Sequence, residues 1–417
     1  MVCWKTHPTK VEELIRVLII LLSLLSSLTA NVLQDAIDKA PAGSILNLPA
    51  GVYKGSIVIT KPLTIIGKEK GVVIDAGGSG TVISIKSSYV TLKNLKIIGS
   101  GDRHENLDSA IKMSKGKQCE ISNCVIDDCL FGIDMQQVNN SIVSNNTITS
   151  KDVDLGLRGD GLRLWYSNDN IIKKNRLIKS RDMVVWYSHG NLIEENYGEH
   201  CRYSLHFMYA GKNIVRNNEY RFNSVGIFFM YSQDTIATGN VIQSSMGATG
   251  MGIGLKDVSN FTLKNNTVLY CAQGMYIDRS PFEPDTNNWI IGNNILYNAE
   301  ALHFHSLSEN NIIKDNTIMG NIEDIVNDSR GSKTNENEIV GNYWDNYEGF
   351  DRNGDNIGDT PHRIYQYADQ LWVYNPDVKF FYASPVISLL NFLAKLAPFS
   401  KPVFLLEDQQ PKVKIKG

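Results

Sequence analysis

His206 and Met208 alternate along one strand-like segment, SLHFMY, and Met230 stands at the matching place of the next such segment, GIFFMY. An imidazole beside thioethers is a soft donor set that suits Cu(I), whereas hard cations call for carboxylate and carbonyl oxygens. Trp165, Trp186 and Phe228 fall in the same columns and would restrict solvent around those donors. Further along, His303 and His305 alternate in ALHFHS and offer a second site for copper or a docking contact. A third candidate lies in FDRNGDNIGDTPHRIY. There Asp351, Asn353, Asp355 and Asp359 take positions 1, 3, 5 and 9 of a loop like that of an EF-hand, with the Ile357 carbonyl at position 7. Asn356 stands where such loops carry Gly and His362 where they carry a bidentate Glu, so a Ca2+ loop and an Asx-rich turn both fit.

Donors that alternate along one segment and recur in the next need a scaffold that repeats. The stretch from Gly161 to Asn240 supplies it, reading GLRLWYSNDNIIKKN, DMVVWYSHGNLIEEN, SLHFMYAGKNIVRNN and GIFFMYSQDTIATGN. The period of roughly 22 residues is in the range of stacked repeats, and a unit this short buries its core only against its neighbours. Extending the register places Asn146, Asn175, Asn196, Asn218, Asn240, Asn266, Asn294, Asn316 and Asn342 in one closing column. A ladder of Asn at a turn, flanked by strand-like segments without helical period, predicts an all-β fold, a right-handed parallel β-helix.

Alternation along a strand then sorts the first segment of each coil. The inward pairs, from Ile133/Met135 through Leu205/Phe207 to Leu302/Phe304, are all apolar. The outward pairs include Arg163/Trp165, Val184/Trp186, His206/Met208, Phe228/Met230, Tyr276/Asp278 and His303/His305, continued by a stack of Tyr166, Tyr187, Tyr209 and Tyr231. His303 and His305 stand four rungs from His206, about 19 Å at the usual strand spacing, too far to share one ion. Without a metal, the same aromatic and Met-rich stripe reads as a surface for a protein partner.

The ends differ from the repeat. Lys5, Lys10 and Arg16 precede the apolar run Val17 to Ala30. That run is short for a membrane span and closes on small residues, so residues 1–30 read as a signal peptide and the body as exported. From Asn31, Val32, Leu33, Ala36 and Ile37 form one face of a short helix that would cap the solenoid. The β-helix is expected over 31–345 and a loop and helix extension over 346–417. In that extension Ser384-Pro385 opens an apolar helix carrying Ile387, Leu389, Leu390, Phe392, Leu393 and Leu396, ended by Pro398. It would cap the far end, lie in a membrane interface or bind a membrane partner. Cys119, Cys124 and Cys129 could tempt a metal assignment, but Cys124 falls in the Asn column, and Cys129, Cys201 and Cys271 share a column with Ser180, Ser245 and Ala299. Those are packing positions. The formal net charge of −3, with Lys and Arg scattered, excludes a nucleic-acid footprint.

A rival of another class is a carbohydrate-active β-helix enzyme, a polysaccharide lyase or uronate epimerase. Asp134, Asp160, Arg163, Asp182 and His189 would be its raw material. The central face is poor in groups to neutralise a uronate carboxylate, so a non-enzymatic role is expected.

The motifs GDGLRLWYSND, VVWYS, HFMY, GIFFMYS, GMGIGLKD and GMYIDRSP, with NYWDNYEGFDRNGDNIGDTPHRIY, YADQLWVYNP and FFYASPVISLLNFLAKLAPFSKP, resemble the NosD family over nearly the whole chain after residue 30. That family consists of periplasmic maturation factors of nitrous oxide reductase. The resemblance implies copper-linked work in the periplasm beside an ABC-type ATPase and its membrane permease. A copper chaperone lipoprotein would deliver the metal, and the C-terminal helix would attach the solenoid to the permease. The resemblance supplies no ligands; His206, Met208 and Met230 come from the register alone.

Overall fold

A computed structural model describes residues 31–247, 250–328, 336–366, 384–396 and 403–415, with the single residues 377 and 381. The expected signal peptide lies outside the described residues, as does Pro398. The described chain winds into a parallel β-helix whose three faces are sheets of 13, 13 and 12 strands, each strand pairing in parallel with its counterpart one coil away. Corners are turned by residues in left-handed conformation, among them Tyr166, Tyr187, Tyr209 and Tyr231 with φ of 48°, 50°, 50° and 48°. Such values are uncommon for a bulky residue. Here they recur because each corner stacks on the one before, with neighbouring Tyr ring centroids 4.9, 5.1 and 5.0 Å apart.

The inward-facing strand positions of this face are apolar. Leu164, Val185, Phe207, Phe229, Leu255, Ile277 and Phe304 succeed one another, fully buried, down one column. The Asn column is an unbroken internal ladder. The Asn218 amide N–H donates to Asn240 Oδ1 at 3.0 Å, its Nδ2 donates to the Ile193 carbonyl and to Asn240 Oδ1, and its own Oδ1 accepts from Asn196. The ladder passes through Asn293, whose Nδ2 reaches Asn316 Oδ1 at 3.0 Å, and not through Asn294, which is exposed at the start of a strand. The same one-residue shift puts Asn298, rather than Ala299, beside Cys271. Adjacent Asn residues made the two registers indistinguishable in sequence; only the buried one satisfies the carbonyl below it. A second Asn column, Asn170, Asn191 and Asn213, runs at another corner.

Cys119, Cys124, Cys129, Cys201 and Cys271 are free and buried, and burial pushes the thiols of Cys129 and Cys201 up to about 12. They are neutral packing groups, as their columns predict.

Both ends are closed by hydrogen bonding. The helix Val32–Lys39 is capped by Asn31 Oδ1 and buries Leu33 and Ile37, while Val32, expected on the same face, is 70% exposed and Ala36 is also exposed. Leu33 and Ile37, four apart, share the helix face that meets the core. Gln34 exchanges two hydrogen bonds with the backbone of Val58, acting as the missing strand for the first rung. At the far end, strand Val403–Asp408 pairs antiparallel with His362–Gln366. It inserts Asp408 under the last rung, where the carboxylate accepts from the Gly341 and Asn342 amides, Asn342 Nδ2 and Trp344 Nε1. Asp408 thus ends the Asn ladder with an acceptor that needs no further partner.

Replacing Asn218 with Ala would strand the Ile193 carbonyl and the Asn196 donors, each stranded buried group costing about 1–3 kcal/mol. Asn294→Ala should stay within about 0.5 kcal/mol of wild type. Chemical denaturation of the two variants checks the contrast.

Candidate metal-binding face

The face that carries the candidates is built from strands Leu162–Trp165, Asp182–Trp186, Tyr203–Met208, Val225–Met230, Met251–Lys256, Gln273–Asp278 and Glu300–His305. Its register is the one read from the sequence: Val184, His206, Phe228, Gly254, Tyr276 and His303 form one column, and Trp186, Met208, Met230, Lys256, Asp278 and His305 the next. Parallel pairing holds these side chains at fixed spacing on neighbouring rungs.

His206 and Met230 come together across two rungs, with Nε2 3.3 Å from the Met230 sulfur. Met208 lies in register beside Met230. The expectation that all three stand exposed on an outward face is corrected for His206, which is only 7% exposed. Neighbours on the same face close over it. The Tyr203 ring stacks on the imidazole at 4.8 Å, Trp186 meets it edge-on at 5.8 Å and Phe228 lies 6.4 Å away. A register shift between Asp182 and Val184, where the partner strand carries an extra residue between Tyr203 and His206, swings Tyr203 into this position. Phe228 can lie flat because the next rung has Gly254, where a Cβ would fall 2.0 Å from the ring.

Burial holds the His206 imidazole down to about 4, so it is neutral at physiological pH. Its Nδ1 is buried without a hydrogen-bond partner. A neutral, water-poor imidazole beside a thioether fits Cu(I), which needs no counter-charge from carboxylates.

Four rungs away the chemistry changes. His303 Nδ1 is 2.6 Å from Glu300 Oε2 and 3.0 Å from Gln273 Nε2. His303 Nε2 lies 3.2 Å from Asp328 Oδ2, outside hydrogen-bonding geometry, and His305 Nδ1 lies 2.9 Å from Asp328 Oδ1. Burial pulls the His303 ring down, but Asp328 and Glu300 outweigh it and raise the ring to about 9. Like His206, His303 stands in the outward column yet is buried by its neighbours.

Asp351, Asn353, Asp355 and Asp359 do share one loop. Asp351 accepts from the amides of Gly354, Asp355 and Asn356, Asp355 from Ile357, and Asp359 from Arg352. These are Asx turns, and Asn356 takes φ 70°, the conformation that a Gly supplies in a Ca2+ loop. The residues of the enzyme alternative are partly gathered. Asp182 is held by Arg202, Asp134 lies 3.7 Å from Arg163, and burial together with the Asp182 charge raises Asp160 to about 7. His189 sits apart in an exposed turn, its amide bonded to Asn168 Oδ1.

Sequence reasoning did not find Tyr203, Gln273, Glu300 or Asp328. Extending the columns one rung past His305 would have reached Asp328, since Phe304 pairs with Asn327. No simple periodicity signals Tyr203, which depends on the register shift.

Comparison with known proteins agrees with this fold. Residues 148–349 match the family described as periplasmic copper-binding protein (NosD), and residues 79–201 match the right-handed β-helix region family. A protein of Pseudomonas aeruginosa named as a probable ABC transporter binding protein NosD is 28% identical over 375 residues, covering 84% of each chain. Its namesake from Stutzerimonas stutzeri is 27% identical over 406 residues, covering 88% of this chain and 86% of its own. Among solved structures, the A-module of a mannuronan C-5 epimerase from Azotobacter vinelandii superposes with a TM-score of 0.52 at 12% identity, covering 75% of this chain and 93% of its own. That likeness concerns the right-handed β-helix alone.

The two imidazoles should titrate in opposite senses. The unfolded chain binds a proton at His206 before the folded one does, so its contribution to stability is full above about pH 6.5 and falls as pH drops toward 4. His303 contributes fully below pH 6.5 and loses that contribution as pH rises through 9. Histidine NMR titrations check both: His206 stays neutral to about pH 4 and His303 cationic to about pH 9.

Proposed function

The chain belongs to the NosD family, and from that premise we propose that it is a periplasmic accessory protein that handles copper for the maturation of nitrous oxide reductase. It acts as the docking platform of an ABC-type transporter complex and catalyses no reaction of its own. The observation that carries the copper reading is the neutral, buried His206 with Nε2 3.3 Å from the Met230 sulfur and Met208 in register alongside. Cu(I) is cargo here. A copper chaperone lipoprotein delivers it to this face, and the stacked Tyr166, Tyr187, Tyr209 and Tyr231 beside it give chaperone and reductase an aromatic surface to dock on. In the same reading Asp351, Asn353, Asp355 and Asp359 can hold a structural Ca2+.

The C-terminal helix supports attachment to the permease. Helix Pro385–Leu396 is capped by Ser384 Oγ and buries Ile387, yet leaves Val386, Leu389, Phe392 and Leu396 exposed, Phe392 at 58% and Leu396 at 67%. Among the described residues no helix is long and apolar enough to cross a membrane. Such a helix fits an apolar groove in a membrane partner.

In anaerobic Cu(I) competition, the wild-type chain is expected to outcompete a chromophoric chelator for one ion, and the His206→Gln/Met208→Leu/Met230→Leu variant to lose that capacity while keeping its circular dichroism. Equal Cu(I) affinity in the two proteins would remove copper from this face. Separately, Leu389→Lys/Phe392→Lys should abolish co-purification with the permease and leave Cu(I) binding unchanged; retention of the permease would assign the helix to end-capping.

A further inference from the structure

The far end of the same face, around His303, differs in donor chemistry from the His206 end. His303, His305 and Asp328 each present one ligand atom, and the three atoms lie within 4.8 Å of one another, the one such trio of His, Cys, Asp or Glu among the described residues. His303 Nε2 is 3.2 Å and His305 Nδ1 2.9 Å from the Asp328 carboxylate. Ligands held about 2.0–2.2 Å from a tetrahedral ion stand roughly 3.3–3.6 Å apart, so easing both imidazoles off Asp328 by a few tenths of an ångström while drawing them toward each other sets the trio around one cation.

The surroundings are arranged as for a ligand. Glu300 Oε2 grips His303 Nδ1 at 2.6 Å, with Gln273 Nε2 donating to the same carboxylate oxygen at 3.0 Å. This fixes the ring so that Nε2 faces Asp328, and that nitrogen is buried without a hydrogen-bond partner. A carboxylate holding the distal nitrogen of an imidazole is the usual outer support of a metal-bound histidine. The Tyr276 ring backs both imidazoles, at 5.3 and 5.7 Å.

We propose that His303, His305 and Asp328 form a site for a borderline divalent cation, Cu(II) or Zn(II), distinct from the thioether site at His206 and Met230; the cation displaces the His303 Nε2 proton to solvent while Nδ1–H stays on Glu300. Two imidazoles and a carboxylate, without sulfur, favour such ions over Cu(I). Asp328 closes the site from the chain that follows strand Glu323–Asn327, so the coordination sphere draws on two successive rungs. About 19 Å of solenoid separates the two ends of the face at the usual strand spacing, so each fills without displacing the other.

The test uses the full exported chain and two probes, Co(II) read by its visible absorption and Zn(II) read by displacement of that Co(II). One Co(II) per chain with the intense bands of a four- or five-coordinate ion, displaced by one Zn(II), is expected. Asp328→Asn and His305→Gln, both at exposed or half-exposed side chains, should abolish the bands. Glu300→Gln, a change at a positioning residue, should weaken binding by about 10- to 100-fold without changing the stoichiometry. Met230→Leu should leave the bands as in wild type. Co(II) binding that survives both Asp328→Asn and His305→Gln would overturn the proposal, as would a wild-type chain that binds neither ion, which would leave the trio as an ion-paired cluster. Cu(I) competition on Asp328→Asn keeps the two readings apart. Full Cu(I) binding there is expected, whereas absence of Cu(I) binding in wild type would sink the copper-cargo reading and leave the divalent site standing.

Discussion

The internal Asn ladder fixes everything else in this molecule. Each Asn side chain bonds simultaneously to the carbonyl of an earlier rung and to the next Asn, so a rung cannot slide by one residue without stranding buried donors and acceptors on both sides. Because a one-residue slip would turn every side chain of a strand to the opposite face, that lock also sets which residues meet on the outer surface. His206 and Met230 are 24 residues apart in sequence and 3.3 Å apart in space for this reason. The ladder closes at Asp408, whose acceptor-only carboxylate stops the series where another Asn would leave an unpaired amide.

The same rigid face supports two electrostatic environments. Near His206, stacking by Tyr203 and the edge of Trp186 removes water and leaves the ring neutral. Near His303, two carboxylates keep the ring charged despite comparable burial. Burial alone would depress both rings; what separates them is the presence of Glu300 and Asp328. A soft, uncharged end and an ionic end thus share one rigid platform.

Most of this architecture was legible in the sequence, and the misses have physical causes. Apolar alternation in Leu205/Phe207 and Ile227/Phe229 was enough to predict the register of His206 against Phe228 and of Met208 against Met230. It could not distinguish Asn293 from Asn294, since both types fit a turn and only burial selects one. His206 and His303 point outward from the solenoid interior and are still buried, because neighbouring rungs carry aromatic rings that cover them. Asp408 lies 66 residues from the Asn342 amide it accepts from, and no local pattern links them. Tyr203 reaches its place through a local register shift, which periodicity averages away.

Register-locked stacking brings the His206 imidazole and the Met230 thioether together, with Met208 in register beside them. X-ray absorption of the Cu(I)-loaded chain tests it most directly. Sulfur scatterers from Met208 and Met230, together with one imidazole from His206, are the predicted shell, and the sulfur contribution should vanish in Met208→Leu/Met230→Leu. A Cu(I) shell of nitrogen and oxygen alone in the wild-type chain would mean that neither Met208 nor Met230 binds the ion.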